Sequence, residues 1–532
     1  MKLPEPHVRA WYWYAFAAEV FAACAMAIFL PITLEQMARE IGFEAPDYTR
    51  PCSREKPLPG TTPVACRAHI LGRWVDTASF SMYVKSTAVF MQALGIISIG
   101  SLADCAYWRK RLLVSFAAVG SMIAALFLVI PGTPRPALPV TGALITLVGN
   151  ITYAASIVCA NAFLPGLAKA DPAVVAMRLA SEESSDGVER GGLDEADAAS
   201  VAGSVILRAS EENGEDEALL TPPSAKYSEV LSRTMARISS TGVAIGFFSG
   251  VAMLAPLSVP VVLGGGSTRS LMVAVGLSAA WWGVFTIPAA LGLPGAVKTP
   301  APAGWLPTAW RHIASMVHPS EIRLLPNLFT FLLAWIFLSD GFHTTTYTAI
   351  LYASSHLHMS PAKVIVIGLI MQLVAVGSSI YAPRLQRKLG LSNLRLLVYI
   401  VLAAQVLPLY ACAGLVIRVG GLRTEAEMYV AAAWFGFLYG PFNSYARAVY
   451  AEIIPPGHES TFFSLFSLTD KSSSFVGPLI VGLIADSTGN IRLGFLFLAA
   501  MLAIPVPVLM RVRVRRGIEE AAAWSAGRRQ VV

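Results

Sequence analysis

Stretch after stretch of twenty or more apolar residues, nearly free of charge, runs through this 532-residue chain. A bilayer core of ~30 Å is crossed by about 20 apolar residues at ~1.5 Å each. Lipid offers the backbone no water, so only helices and closed barrels can span it. Barrel strands would be ~10 residues long and alternating. These segments are long and continuously apolar, so they read as helices. Twelve spans are predicted: Trp11–Leu34, Phe80–Leu102, Leu112–Ile130, Leu138–Leu164, Ile238–Leu263, Leu271–Leu293, Leu328–Leu351, Val364–Leu385, Leu394–Ile417, Met428–Val449, Phe462–Ala485 and Leu493–Met510. The balance of 55% hydrophobic and 14% charged residues and a mean hydropathy of +0.60 agree. Trp11–Leu34 is too long for a cleavable signal peptide and precedes a large loop.

The expected organisation is transmembrane helices 1–4 within residues 1–165, with a lumenal loop at 35–79, then an acidic cytosolic loop at 166–237. Helices 5–6 fill 238–293, a central cytosolic loop 294–327, helices 7–12 328–510, and a basic tail 511–532. Lys and Arg crowd the short loops of one side: Arg109, Lys110 and Arg111; Arg384, Arg387 and Lys388; Arg511, Arg513, Arg515 and Arg516. The opposite loops hold few, so both termini are expected in the cytosol. The net charge of +7 belongs to these helix ends, where anionic lipid attracts it. No folded soluble domain remains to offer a nucleic-acid surface.

The acidic loop is Ser-, Gly- and Ala-rich and poor in aromatics, so it is expected to be disordered. Within it, Glu215 with Leu219 and Leu220 fits the acidic dileucine pattern read by sorting adaptors; a short amphipathic turn is the alternative. Cys52 and Cys66 share one non-cytosolic loop, where oxidation would close a ~15-residue ring worth ~3 kcal/mol. Two unpaired thiols are the alternative. Asn150-Ile151-Thr152 matches a glycosylation acceptor but lies inside span four, beyond a glycosyltransferase's reach.

The two halves echo each other. Span one carries Trp13 and Glu19, span seven Trp335 and Asp340, and a basic stretch follows the second span of each half. The first stretch, Gly100, Asp104, then Arg109 and Lys110, resembles the signature of the major facilitator superfamily, with the bases one residue late and an intervening Gly missing. It suggests a cytosolic gate in which Asp104 meets a neighbouring helix end. A more specific match comes from Asp470-Lys471-Ser472-Ser473-Ser474-Phe475 with Gly477-Pro478, together with Phe16-Ala17-Ala18-Glu19 and Asn161-Ala162-Phe163-Leu164-Pro165. These resemble the autophagy-related protein 22 family of vacuole effluxers across the whole chain outside the acidic loop. The resemblance implies a major facilitator fold, and a fungal vacuolar membrane protein that exports leucine and other neutral amino acids to the cytosol. The residues alone imply a secondary carrier.

A charge at mid-bilayer costs at least ~2.5–3.5 kcal/mol, so each asks for a reason. Glu19, Lys85, Asp340, Asp470 and Lys471 are the candidates for a substrate or proton site. Lys85 has the alternative of snorkelling to the outer interface; short carboxylates cannot reach so far. Asp470 and Lys471 diverge by ~100° on a helix and need partners elsewhere. A zwitterion requires both signs, which these residues supply. Gly242, Gly246 and Gly250 give span five one small face for tight packing, while Gly440-Pro441 and Gly477-Pro478 are expected kinks. There is no P-loop and no Gly-x-Ser-x-Gly elbow, and the histidines show no metal spacing. No enzyme activity, metal or cofactor is therefore expected; the partners are an amino acid, the bilayer and a sorting adaptor. The alternative reading is a non-transporting scaffold or a membrane-breakdown factor for autophagic vesicles.

Overall fold

The computed structural model describes residues 5–52, 65–103, 105–179, 223–296, 304–415, 420–456 and 458–529. Among them, ten helices are long and apolar enough to cross a membrane. They are α1 (Pro6–Glu40), α2 (Thr77–Ala103), α3 (Ala106–Ala125), α4 (Leu138–Asn161), α5 (Pro223–Leu263), α6 (Thr268–Gly292), α7 (Pro326–Ser355), α8 (Pro361–Leu389), α9 (Asn393–Ala413) and α12 (Ile491–Arg511). Helix α10 (Glu425–Glu452) and the pair α11a (Glu459–Ser473) and α11b (Val476–Thr488) complete twelve passages. The helix ends follow local chemistry. Ser267, Ser392 and Thr424 accept from backbone N–H groups at the starts of α6, α9 and α10. Gly390, at φ 61°, ends α8 in the left-handed conformation.

The helices form two halves. In the first, α1 packs on α5 and α6, α4 on α2 and α3, and α3 on α6. In the second, α8 packs on α10, α9 on α10 and α12, and α7 on α11a and α12. The glycine face of α5 lets α1 approach: Gly242 faces the Trp11 ring, and Gly246 and Gly250 face Glu19 and Ala23.

Several elements differ from their expected limits. Helix α1 continues to Glu40 through a π-helical stretch, Phe21–Phe29, so Glu35 is helical rather than the first loop residue. The remaining connection to α2 carries a three-stranded antiparallel sheet, β1 (Gly42–Glu44), β2 (Cys66–Ile70) and β3 (Arg73–Asp76), a small addition to an otherwise helical fold. Arg67 pairs in register with Asp76, and Leu71 (φ 51°) and Gly72 (φ 80°) make the tight turn between β2 and β3. Cys52 and Cys66 are disulfide-bonded, with Cα atoms 5.8 Å apart. The bases Arg109–Arg111 and Arg384–Lys388 sit in α3 and α8, as helix turns rather than loops.

The acidic segment is helical at both ends, over 172–179 and from Pro223, and Asp171 and Arg237 join the ends in a 2.6 Å ion pair. Its centre, with Glu215, Leu219 and Leu220, lies outside the described residues, as does Asp104. The central segment carries the helix Trp305–Met316, which packs on α2. The tail is a helix, Val514–Arg529, clipped to the base of α7. There Glu520 accepts from the Asn327 amide nitrogen and backbone N–H (2.8 and 3.2 Å), and Trp524 donates to Glu321 (2.7 Å). The face of the bundle that carries this helix is the terminal face; the other is the sheet face.

Candidate functional site

Span eleven is not one helix. The Ser472-Ser473-Ser474 run and Gly477-Pro478 favour turn over helix, and the ladder breaks at Ser474–Phe475. Asp340 of α7 completes the break. Its Oδ2 accepts from Gly477 N–H at the start of α11b (2.7 Å) and its Oδ1 from the Thr344 hydroxyl (2.8 Å), in a position only 1% exposed. A carboxylate at a helix N-terminus meets both an orphan N–H and the positive end of the dipole. Asp340 therefore clamps two helices of one half together.

A second polar cluster begins one residue away on α7. The Ser339 hydroxyl donates to Asp470 Oδ1 of α11a and sits 3.4 Å from His343 Nδ1. The His343 ring stands 6.4 Å from the ring of Tyr439 on α10. Asp470 and His343 are half-buried. From the first half, the Lys85 ammonium on α2 reaches across to 5.8 Å from the centre of the Tyr347 ring on α7. The Tyr347 hydroxyl lies 2.9 Å from that of Ser81. Lys85 thus points toward the facing half rather than back along α2. Glu19 packs by its Cβ and Cγ against Gly246 of α5. Lys471 lies one residue beyond Asp470, but its side chain is outside the described residues.

The residues expected at a gate are placed within the first half. Arg109 donates to the Ala103 carbonyl (2.9 Å) with its guanidinium over the Phe163 ring, and Lys110 to the Leu293 carbonyl (2.6 Å). Both cations satisfy carbonyls at helix C-termini, where the dipole favours them. Among the described residues, nothing lies within 4 Å of a Cβ built on Gly100, so no close approach there requires that glycine.

What joins the halves lies toward the sheet face and escaped the sequence reading. Asp486, near the end of α11b, accepts from Asp76 N–H (2.9 Å) and Tyr83 OH (3.5 Å) through its carboxylate, and from Arg67 through its carbonyl (2.7 Å). Asp76 Oδ1 accepts from the first N–H groups of α2, Ala78 and Ser79 (3.0 and 3.1 Å). Burial pushes the Asp76 carboxyl up to about 6, and Glu35 and Asp486 add to the rise. Glu35 pairs with Arg39 (2.5 Å) and accepts from Ser354 of α7 (3.2 Å). Deeper, Ser86 donates to the Phe475 carbonyl at the helix break (2.8 Å). A Gly in the β2–β3 turn between alternating residues was the one available signal for the sheet; Asp486 resembles any polar residue at a span's end.

A family model described as "Vacuole effluxer Atg22 like" matches residues 4–522. Autophagy-related protein 22 of Cryptococcus neoformans var. neoformans serotype D (strain JEC21) is 54% identical over 557 residues, covering 98% of this chain and 97% of that protein. Autophagy-related protein 22-1 of Penicillium rubens is 35% identical over 554 residues, covering 98% and 92%. Among solved structures, a D-xylose-proton symporter superposes with a TM-score of 0.59 at 11% identity, covering 96% of this chain and 99% of that one. The xylose transporter XylE from E. coli, in a partially occluded inward-open conformation, gives 0.53 at 10%, covering 94% and 98%. Identities so low speak for a shared fold of the major facilitator type.

Proposed function

This chain belongs to the Atg22-like vacuole effluxer family, and from that premise we propose that it exports neutral amino acids, leucine among them, from vacuole to cytosol. It is a multi-pass transporter of the vacuolar membrane, by family and fold. The terminal face is cytosolic and the sheet face lumenal in this reading. Basic helix ends at Arg109–Arg111, Arg384–Lys388 and Arg511–Arg516 support that orientation, and so does a disulfide on the opposite side.

The observations that carry the reading are the polar cluster of Ser339, His343 and Asp470 between α7 and α11a and, further along α7, the Lys85 ammonium reaching from the other half to the Tyr347 ring. A zwitterionic amino acid needs an anion for its ammonium and a cation for its carboxylate. Asp470 and Lys85 offer these on opposite halves, and Lys471 and Glu19 extend the set. Substrate bridging the halves would favour their rocking about it, the basis of alternating access. His343 beside the Ser339–Asp470 pair gives a proton a place to bind, so export is read as proton-coupled.

Flux of radiolabelled leucine into and out of liposomes containing the purified protein, with a pH gradient in either direction, is the test. Uptake that responds to the gradient and collapses in Asp470→Asn is expected. Gradient-responsive flux unchanged in both Asp470→Asn and Lys85→Gln would refute the assigned site. Absence of amino-acid flux in the intact protein would refute the function.

A further inference from the structure

We propose that the β1–β3 sheet is a latch that holds the lumenal gate shut by grasping Asp486, and that it closes more tightly in acid. The direction of the effect rests on the orientation proposed above; the latch itself does not rest on the substrate.

The sheet belongs to the first half and Asp486 to the second. Their contacts form a compact set: Asp76 N–H and Tyr83 OH to the Asp486 carboxylate, and Arg67 to its carbonyl. The Cys52–Cys66 bond fixes the residue next to Arg67, so the guanidinium is presented from a stapled strand. Opening the sheet face must break all these contacts.

The charges around Asp76 decide what acid does. Helix α1 presents Glu35 and Arg39, β2 presents Arg67 as the cross-strand partner, α2 presents Tyr83, and α11b presents Asp486. Helix α7 contributes the Ser354 hydroxyl to Glu35 and the Ser355 carbonyl to Arg39. Glu35, Arg39, Arg67 and Tyr83 travel with Asp76 in the same half. Closure adds two things: loss of water and the arrival of Asp486. Both penalise an ionised Asp76 and add to the rise that burial and Glu35 give its carboxyl, which reaches about 6 in the closed arrangement. A group whose pKa rises on closing takes up a proton as the gate shuts. Closure is thus opposed above about pH 6, and the opposition fades as pH falls below it. The closed-to-open ratio should rise several-fold over that window, the full shift from 3.8 to about 6 setting a ceiling of about 10²-fold. An acidic lumen would then favour the state that faces the cytosol.

The test is a distance across the latch in the full-length protein in nanodiscs. Spin labels are placed at Leu71→Cys, on the exposed β2–β3 turn, and Ser487→Cys, exposed on α11b, with Cys24, Cys105, Cys159 and Cys412 replaced by Ala and the disulfide kept. Pulsed electron resonance should show the short-distance population growing as pH falls from 7.5 to 4.5. Asp76→Asn, which keeps an acceptor for Ala78 and Ser79, should hold the short distance at both pH values. Asp486→Ala should shift it to long distances at both. The proposal is overturned if the wild-type distribution ignores pH, if Asp76→Asn keeps the wild-type response, or if Asp486→Ala stays short. No amino acid enters this measurement, so a normal pH response in a protein without leucine flux would sink the transport reading alone.

Discussion

Asp340 offers the sharpest choice between two roles for a membrane carboxylate. As a clamp, it serves by accepting from Gly477 N–H and Thr344 Oγ; as a coupling site, it serves by carrying charge or a proton. Asp340→Ala removes both acceptors from a position 1% exposed and strands a buried backbone donor. That orphan costs about 1–3 kcal/mol, a roughly 5- to 150-fold loss in the folded ratio, before any cavity is counted. Asp340→Asn keeps one acceptor for Gly477, and its amide can donate to Thr344, so the loss should stay below about 1 kcal/mol. Gly477→Ala attacks from the other side, since its Cβ would lie 2.6 Å from Asp340 Oδ1. Heat survival of the monodisperse fraction in detergent ranks the variants, and leucine flux at matched protein gives activity. The clamp predicts that Asp340→Ala and Gly477→Ala fall in stability together while Asp340→Asn keeps both properties. An Asp340→Asn protein of wild-type stability with no flux would refute the clamp and restore the carboxyl to the transport chemistry.

Gly242→Ala should cost about 1–3 kcal/mol in the same assay, because its Cβ falls on the Trp11 ring and a 2.8 Å bond from Nε1 to Ala160 holds that ring in place. Gly100→Ala should cost nothing and gain up to ~1 kcal/mol, since it lies within a helix and its Cβ would meet none of the described residues; loss of flux there would revive the signature motif as a working gate. Cys52→Ser or Cys66→Ser should lower stability by up to ~3 kcal/mol, seen as earlier melting and as loss of the mobility change on reduction. Leu219→Ala with Leu220→Ala should divert a fluorescent fusion from the vacuolar membrane to other compartments without altering flux in liposomes.

Hydrophobicity over about 20 residues makes a span visible, and the twelve passages and the doubled plan are legible on that ground. The same averaging hides what interrupts a span. Phe462–Ala485 reads as one segment although the Ser472–Ser474 run and Gly477-Pro478 together mark the break, and Gly440-Pro441, with a similar signal, sits inside the continuous α10. Chain sequence does not say which of the two carboxylates, Asp340 or Asp470, will turn to the helix break. Asp340 turns to the helix break, and the neighbouring Ser339 engages Asp470 instead. Arg109 and Lys110 were legible as positive charge on one side, but not as donors to the Ala103 and Leu293 carbonyls. Asp486 had no local signal, because its partners are more than four hundred residues away in sequence.

The wide turns at Phe21–Phe29 have a geometric consequence for α1. A π-helical insertion behaves as one surplus residue, rotating everything beyond it by roughly 100° relative to a continuous α-helix. A single helical wheel therefore cannot describe Glu19 and Glu35 together. Excising one residue, Ala27 for instance, would let the ladder revert to regular spacing and swing Glu35 and Arg39 away from Ser354 and Ser355 of α7. The bulge sets the azimuth at which the upper third of this helix meets its neighbour.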